Sequence, residues 1–335
     1  MAATLKDVAA LVGVSVNTAS RALKDKTDIG IPTRQRVKEA AAALGYRPNL
    51  NARSLVLKKS SIIGVAVTEP DNPVRMEFCE KLRQLAAAEG YRLLTAGLSV
   101  ARNEEDMATV EDLLARGVDA LVIGYLSGIL SEQPIGPILR ECRNNHIPVT
   151  VFGAVETGYA DSVYIDFCES AYRLTSYLLD IGKSPIAFLG ECPEEARRQG
   201  YVRAMRERGR ENDILSWNIG GHTLSSGKQA VEDYLRQNPI PPQAIIAPND
   251  LTAMGIISAL KAHGFRVPQD VAVVGFDNIE MGAFFDPPLT SIGFDNGYFA
   301  RQVWNLIEAR LLNGSSEPVQ CLRLRQELVV RGSCE

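Results

Sequence analysis

The chain has 335 residues, with 36 basic and 40 acidic side chains and a formal net charge of −4 at pH 7. A hydrophobic fraction of 46% and a charged fraction of 23% are ordinary for a globular protein and argue against a disordered or collagen-like chain. Apolar runs stay below the ~18 residues of a transmembrane helix, and no basic segment leads into an apolar stretch at the N-terminus, so neither a membrane span nor a secretion signal is predicted.

The charge is unevenly distributed along the chain. Residues 1–60 hold eleven basic and four acidic side chains, a formal charge of +7, and the rest of the chain therefore carries −11. A basic segment of this size indicates a partner that is a polyanion. The alternative is an ordinary solvated surface rich in lysine and arginine.

The first 45 residues have the pattern of three short helices. Thr4 and Asp7 have the spacing of a capping box, and Ser15 is a good N-cap for a second helix. The third helix follows a polar loop and ends at Gly45; its apolar residues at helical spacing are Val37, Ala40, Ala41 and Leu44. Two helices joined by a short turn that contains Gly13 form a helix-turn-helix.

A further short helix is predicted after the third. Pro48 disfavours helix at the residue before it, and Asn49 can cap a helix from Leu50 to Leu57. The run that starts at Lys58 then has the composition of a linker.

From Ile62 onward short apolar runs alternate with amphipathic helices, which is the pattern of βαβ units and parallel sheets. The alternation forms two series, the second beginning near Asp166, so two doubly wound α/β sheets are predicted. The last segment fits neither series; it consists of a strand at 289–293, a helix at 295–312 and a single strand at 319–330.

The sequence lacks the common motifs for phosphate binding, dinucleotide binding and metal binding. Gly182-Lys-Ser184 lacks the first glycine of a phosphate loop, since position 177 is Tyr177, and no Gly-x-Gly-x-x-Gly follows the first strand. The six scattered cysteines are expected to be reduced thiols, mostly buried as small apolar residues. The three histidines lack the spacing of a pair of metal ligands. No enzyme activity, cofactor or metal is predicted.

Several segments together resemble the lactose-repressor/galactose-repressor family of transcriptional regulators. The resemblance spans essentially the whole chain and is strongest in the head, where the matching segments are Thr4-Leu-Lys-Asp-Val-Ala9, Gly13-Val-Ser-Val-Asn-Thr-Ala-Ser-Arg-Ala-Leu23, Thr33-Arg-Gln-Arg-Val37 and Leu44-Gly-Tyr-Arg-Pro-Asn49. In the rest of the chain they are Ala52-Arg-Ser-Leu55, Ile63-Gly-Val65, Asp71-Asn-Pro73, Asn249-Asp250, Val274-Gly-Phe-Asp277 and Pro287-Pro-Leu-Thr290.

This resemblance implies a domain organisation. A helix-turn-helix head occupies residues 1–46, a hinge helix and linker residues 47–60, and a periplasmic-binding-protein-like core residues 61–335. The core is expected to have two lobes, lobe one at about 61–162 plus 293–322 and lobe two at about 163–292 plus 323–335.

The resemblance also implies that a homodimer binds an inverted-repeat operator in double-stranded DNA. Val16, Asn17 and Arg21 match the positions that meet base edges, with arginine suited to guanine, asparagine to adenine and valine to a thymine methyl. Positions near phosphates or sugars are matched by Leu5, Ser15, Ser20, Thr33 and Asn49. The alternative for these five positions is helix capping and surface polarity, and Ser15 and Thr33 can serve in both roles.

In the hinge, Ala52 and Leu55 match family positions that contact DNA. The family pushes a hinge leucine into the minor groove, where an apolar wedge unstacks a base step and bends the duplex. The alternative for Leu55 is ordinary helix packing.

The resemblance implies a small effector, a sugar or sugar derivative, between the lobes at the carboxyl ends of the strands. The matching residues are Thr68, Asp71, Arg197, His222, Asn249, Asp277 and Phe294. For Asn249 and Asp277 the alternative is turn or cap chemistry, and for His222 a surface position. Glycine at 124 and 153, where polar contacts are common in the family, predicts a pocket that is larger on the side of the first lobe.

The favoured hypothesis is therefore a ligand-responsive transcriptional repressor in the cytoplasm, dimeric and without a helical tetramerisation tail. The alternatives are a clamshell solute-binding protein, which predicts a secretion signal and no basic head, and an enzyme, which needs a catalytic constellation. The sequence has a basic head and no secretion signal, which argues against the solute-binding protein, and it shows no catalytic constellation, which argues against the enzyme.

Overall fold

The computed structural model describes residues 3–47, 59–98, 104–127, 135–154, 160–190, 196–314 and 317–335. The chain divides into two compact units, residues 1–60 and 61–335. The predicted hinge helix, with Asn49, Ala52 and Leu55, lies outside the described residues.

The first unit contains the three predicted helices, α1 (Leu5–Val12), α2 (Val16–Leu23) and α3 (Ile31–Ala43). The reciprocal capping box of Thr4 and Asp7 is formed, and Ser15 Oγ accepts a hydrogen bond from the backbone N–H of Thr18 at 3.0 Å. Gly13 has a φ of 72°, a left-handed conformation that lets the chain turn sharply between α1 and α2.

Small apolar side chains fill the centre of this unit. Val8 of α1, Ala19 and Ala22 of α2 and Val37 of α3 are completely buried against one another. Because alanines form much of this contact, the helices pack closely. The buried residues of α2 lie on one face, so its other face is free of the core. Arg36 ties α3 to the end of α1 by donating from Nη2 to the carbonyl oxygen of Val12 at 2.9 Å.

The second unit confirms the predicted architecture of two parallel-sheet α/β lobes. Its strands are β1 (Ile62–Thr68), β2 (Arg92–Leu98), β3 (Ala120–Ser127), β4 (Val149–Ala154), β5 (Asp161–Ile165), β6 (Ile186–Gly190), β7 (Ile214–Asn218), β8 (Ala244–Ile246), β9 (Ala272–Asp277), β10 (Thr290–Gly293), β11 (Cys321–Leu324) and β12 (Glu327–Val329). Its helices are α4 (Pro73–Ala88), α5 (Glu104–Ala115), α6 (Ile135–Asn144), α7 (Phe167–Asp180), α8 (Ala196–Glu207), α9 (Leu224–Gln237), α10 (Asp250–Ala262), α11 (Glu280–Phe284) and α12 (Asn296–Asn313).

Each lobe is a six-stranded sheet with helices on both faces. The first sheet has the order β11-β5-β4-β3-β1-β2 and is parallel throughout. It is covered by α4 and α12 on one face and by α5 and α6 on the other. The second sheet has the order β12-β10-β9-β8-β6-β7, with α7 and α8 on one face and α9 and α10 on the other, and β12 is its one antiparallel strand.

The C-terminal segment differs from the prediction. The single strand predicted at 319–330 is two strands, β11 in the first sheet and β12 in the second. Between them Gln326 is 2% exposed, and its carbonyl oxygen accepts a hydrogen bond from Arg173 Nη1 at 2.7 Å, which fixes the crossing between the sheets.

Strand β5 was not predicted, because its first two residues, Asp161 and Ser162, are polar although they are buried. Arg310 of α12 explains this burial, since it donates from Nε and Nη2 to the two carboxylate oxygens of Asp161, both at 2.7 Å. The expected lobe boundaries at 162 and 322 fall inside β5 and β11, and both strands belong whole to the first sheet.

Replacing Arg310 by methionine is expected to destabilise the core by about 3–5 kcal/mol, because it leaves a buried carboxylate without its partner. The midpoint of urea unfolding measures the loss. Arg116→Met is the matched control, since Arg116 pairs with Asp112 at the surface with 58% and 60% of the two side chains exposed. Equal shifts for the two variants would contradict the assignment.

Candidate functional site

Helix α2 presents one side of its first two turns to solvent. Val16, Asn17 and Arg21 are exposed on that side, while Ala19 and Ala22 are buried on the other. Val16 is 42% exposed, so its apolar side chain is accessible to a partner. The three residues predicted to meet base edges therefore lie on one accessible face.

The other candidate residues of the head occupy different surroundings. Ser15 caps α2, which is the alternative given for it, and Leu5 is half-buried against the apolar centre of the head. Ser20 and Thr33 are partly exposed.

Acidic side chains of the loop between α2 and α3 engage basic side chains of the head. Asp28 Oδ2 accepts from Arg21 Nε at 2.9 Å and from Arg21 Nη2 at 2.5 Å. Asp25 instead pairs with Lys38 Nζ of α3 at 2.6 Å.

In the second unit, the candidate effector residues gather where the strands of both lobes end. Thr68 ends β1 and Asp277 ends β9; the others follow the ends of β6, β7, β8 and β10 and are Arg197, His222, Asn249 and Phe294. This is the edge at which open parallel sheets bind ligands. Asp71 differs, since its side chain is exposed, and the neighbouring Asn72 is the buried one.

A side-chain hydrogen bond joins the two lobes at this edge. Glu69 Oε1, directly after β1, lies 2.9 Å from Nδ1 of His222, which follows β7 in the other lobe. Arg75 Nη2 lies 3.4 Å from the second oxygen of Glu69. Beside Arg75, Val74 packs into the apolar cluster of the second lobe.

Asp277 and Arg197 form the second half of the polar cluster. Burial raises the pKa of Asp277, while the charges of Arg75 and Arg197 and a hydrogen bond with Asn72 act to lower it. The Arg197 guanidinium lies between two rings, with its Cζ 4.3 Å from the centre of Phe167 and 4.9 Å from that of Phe276. The rings cover part of this cation, and its charge acts on both Glu69 and Asp277.

Asn249 and Asp250 shape the loops that present these groups. Asn249 Oδ1 caps α10 by accepting from the N–H of Thr252 at 2.8 Å, and its Nδ2 donates to the carbonyl oxygen of His222 at 3.0 Å. Asp250, 1% exposed, accepts from the N–H of Ile279 at 2.8 Å, and burial raises its pKa well above the usual value. Asn249 thus has the capping role given as its alternative and also orients the loop of His222.

The backbone is strained at the same edge. Glu69 has a φ of 48° and Asp277 a φ of 104°, conformations that cost about 1–3 kcal/mol for residues other than glycine. Because the two carboxylates face each other's lobe from these turns, the strain lies in the positions that aim them across the cleft.

Gly124, one of the two glycines behind the expectation of a larger pocket, does not open space for a ligand. A Cβ atom at Gly124 would lie 2.0 Å from Cζ of Phe152, so the phenyl ring fills the space that a side chain there would take. Phe152 is completely buried with its ring centre 4.5 Å from that of Phe78. Phe294 continues this aromatic wall, with its ring centre 4.7 Å from that of Phe299.

Sequence reasoning missed three residues of the cleft, Glu69, Asn72 and Arg75. All three lie within the Asp71-Asn-Pro73 segment or two residues from it. The segment was therefore identified from the sequence, but Asp71 was chosen as its ligand residue in place of these three. Among the described residues no group of three or more metal ligands occurs, and no described helix is long and apolar enough to cross a membrane.

The interlobe bridge gives a pH dependence. Burial acts to raise the pKa of Glu69, but the hydrogen bond with His222 and the charges of Arg75 and Arg197 outweigh it and hold the pKa below the usual 4.5. Such a group stabilises the fold above pH 4.5 and loses its contribution as the pH falls through the lowered pKa.

Glu69→Gln is therefore expected to lower the Tm of the protein near neutral pH, and the gap to wild type is expected to close in acid. Thermal unfolding at several pH values between about 7 and 3 measures the gap. A gap that is independent of pH would show that the charge of Glu69 does not stabilise the contact between the lobes.

The fold and the two sites define the class of protein, a helix-turn-helix head followed by a two-lobed periplasmic-binding-protein-like core. Residues 4–49 match the family model described as bacterial regulatory proteins of the lacI family, and residues 175–334 match that of a periplasmic binding protein-like domain.

Known proteins match over the full length. The transcriptional repressor CytR of Escherichia coli is 30% identical, covering 99% of this chain and 96% of that repressor. The structure of the lac repressor dimer bound to operator and the anti-inducer ONPF matches with a TM-score of 0.82 at 24% identity, and covers 99% of both chains. A complex of the regulator CelR with cellobiose matches with a TM-score of 0.68 at 26% identity, again over 99% of both chains.

The chain belongs to the LacI family of bacterial regulatory proteins. It is a ligand-responsive DNA-binding regulator of transcription, and its relatives are repressors rather than enzymes.

Proposed function

We propose that the chain is a homodimeric repressor in which two heads bind an inverted-repeat operator and a neutral sugar in the cleft changes the affinity for DNA. The proposed parts are a head at 1–46, a hinge at 47–60 and a core at 61–335. The lac repressor, whose dimer is bound to operator, supports this arrangement by its likeness to this chain.

The exposed face of α2 is the observation that carries the DNA-binding proposal. Val16, Asn17 and Arg21 offer an apolar contact, an amide and a guanidinium, the groups that suit a thymine methyl, adenine and guanine. An α-helix of this kind fits the major groove. The charge of +7 on residues 1–60 supplies attraction to phosphates that does not depend on sequence.

Further DNA contacts are proposed from the family positions. Those to phosphates and sugars are Leu5, Ser15, Ser20, Thr33 and Asn49. In the hinge, the proposed contacts are Ala52 and Leu55, and Leu55 inserts into the minor groove between base pairs, where the bend it causes lets the protein cover more DNA.

The cleft supports a polyhydroxylated effector. Two carboxylates, Glu69 and Asp277, and two guanidinium groups, Arg75 and Arg197, balance in charge, and sugar hydroxyls both donate and accept hydrogen bonds. Thr68, Asn72 and His222 add polar groups of both kinds, and Phe294 supplies an apolar wall. The CelR–cellobiose complex supports a sugar by its likeness to this chain.

Coupling between the cleft and the DNA follows from the bridge between the lobes. A ligand that takes over the partners of Glu69 or His222 changes how the lobes contact each other. We propose that this movement reaches the linkers of the two protomers and stabilises or melts the paired hinge helices, which is an allosteric coupling between two sites.

The cytoplasm is the proposed location. The cysteines of the described residues are free, and burial raises the pKa of both Cys79 and Cys142 to about 11, so these thiols are poorly reactive. Free thiols in this state are typical of a reducing compartment.

Arg21→Ala is expected to weaken binding to the operator by about 1–3 kcal/mol per head, because a bidentate contact with guanine is lost. Selection from random DNA duplexes identifies the operator, and fluorescence anisotropy at fixed salt then measures the Kd. Arg83→Ala, which removes an exposed charge paired with Glu80 on α4, is the control. Full operator affinity in Arg21→Ala would overturn the assignment of the reader.

A saturating neutral sugar is expected to raise the Tm, since a ligand at 100 times its Kd stabilises the folded state by about 2.7 kcal/mol. A thermal-shift screen of neutral mono- and disaccharides, phosphorylated sugars and nucleosides measures this. Asp277→Asn is expected to abolish the shift, and Asp286→Asn, an exposed carboxyl paired with Lys261, to preserve it. A shift with nucleosides alone would reject the sugar class.

A further inference from the structure

Within the part of the head that the structure describes, the guanidinium of Arg21 is held from the side of Asp28. Its Nε and Nη2 atoms both point to the same oxygen of Asp28, at 2.9 and 2.5 Å. A guanidinium has five N–H donors. The contact with Asp28 uses the Nε–H and one Nη2–H, which leaves the second Nη2–H and the adjacent Nη1–H side by side along the outer edge.

That outer edge is the one that suits guanine. Bidentate recognition of guanine needs two donors side by side, aimed at O6 and N7. The Nη1 and Nη2 atoms provide such a pair, and they stay available while Nε and the inner side of Nη2 are bonded to Asp28. The ion pair therefore orients Arg21 without occupying its base-reading edge.

Asp28 itself is well placed to hold this orientation. The following residue, Ile29, packs against the apolar centre of the head, and its N–H donates to the carbonyl oxygen of Lys26 at 3.2 Å. The loop also returns to α2, since the N–H of Lys26 donates to the carbonyl oxygen of Arg21 at 3.1 Å. The carboxylate thus sits on a turn that is fixed to the same helix as the arginine.

We propose that Asp28 is a positioning residue that presets Arg21 for guanine and so sets the specificity of the head for its operator. This rests on the proposed function, in which Arg21 meets a base edge. An arginine ordered before binding loses less side-chain entropy on the DNA. The negative charge of Asp28 also lowers attraction to phosphates, which weakens binding to every DNA sequence alike.

The same loop offers a matched control. Asp25 is also an exposed carboxylate, but its partners are Lys38 at 2.6 Å and Arg34 at 4.0 Å, both on α3. Asp25→Asn removes the same charge as Asp28→Asn from the same loop without releasing Arg21. Both side chains of the Arg21–Asp28 pair are about half exposed, at 45% and 52%, so neither substitution opens the apolar centre.

The test measures the ratio of Kd values for the selected operator and for an unrelated duplex, at one salt concentration and with the full-length protein. We expect Asp28→Asn to reduce this ratio by about three- to tenfold, the effect of one immobilised side chain. Asp25→Asn is expected to keep the ratio while strengthening binding to both duplexes slightly. Thermal unfolding of each variant verifies that the head stays folded, and Asp28→Ser serves as a second variant.

A double variant separates positioning from a direct effect. If Asp28 acts through Arg21, adding Asp28→Asn to Arg21→Ala leaves the ratio of Arg21→Ala unchanged. An unchanged ratio in Asp28→Asn, or a loss that persists in the Arg21→Ala background, overturns the proposal. If instead Arg21→Ala alone keeps the full ratio, the assignment of Arg21 as reader fails, and the outcome is distinct from failure of the role of Asp28.

Discussion

The core is constrained above all by the way one chain is shared between two sheets. The chain passes from the first sheet to the second after β5, returns after β10 with α12, and crosses again between β11 and β12. Both lobes therefore end in a strand from the last part of the chain, and neither is an independent run of sequence. The ends of strands from both sheets lie beside these crossings, namely the carboxyl ends of β1, β6, β7, β8 and β9. Any movement of one lobe against the other therefore has to bend the three crossing segments.

Charged side chains also hold the two lobes together at the edge where the strands end. The edge where the strands end would collect unpaired carboxylates, and the structure balances them with guanidinium groups from α4 and α8, the residues Arg75 and Arg197. Each lobe supplies one of these cations and one of the carboxylates, and attraction also acts across the cleft, from Arg75 on Asp277 and from Arg197 on Glu69. The head follows a related rule, with Asp25 and Asp28 each neutralising basic side chains that a DNA backbone would otherwise meet alone.

Much of this was predictable from local pattern, and the exceptions have long-range causes. Capping residues and the alternation of apolar runs predict the helices, both sheets and the end of the strands where the cleft lies. Strand β5 was not predicted because the burial of Asp161 depends on Arg310, which is 149 residues away in the sequence. Adjacent Asp71 and Asn72 are equally polar in sequence, and only the turn into α4 decides that Asn72 caps the helix and is buried. Gly124 suggested open space, but the ring that fills it comes from the neighbouring strand.

Because β11 and β12 lie near the end of the chain, the core is completed last during synthesis. The head can fold early, because its apolar centre is made within the first 60 residues. Neither sheet has its second edge strand, β11 or β12, until residues beyond 320 have left the ribosome, and Ser333 still has to bond to Val273 and Thr290 within the second lobe. A nascent chain thus carries a finished DNA-binding module for as long as its ligand-sensing module is incomplete, so a truncated product of translation would retain the basic head without the means to regulate it.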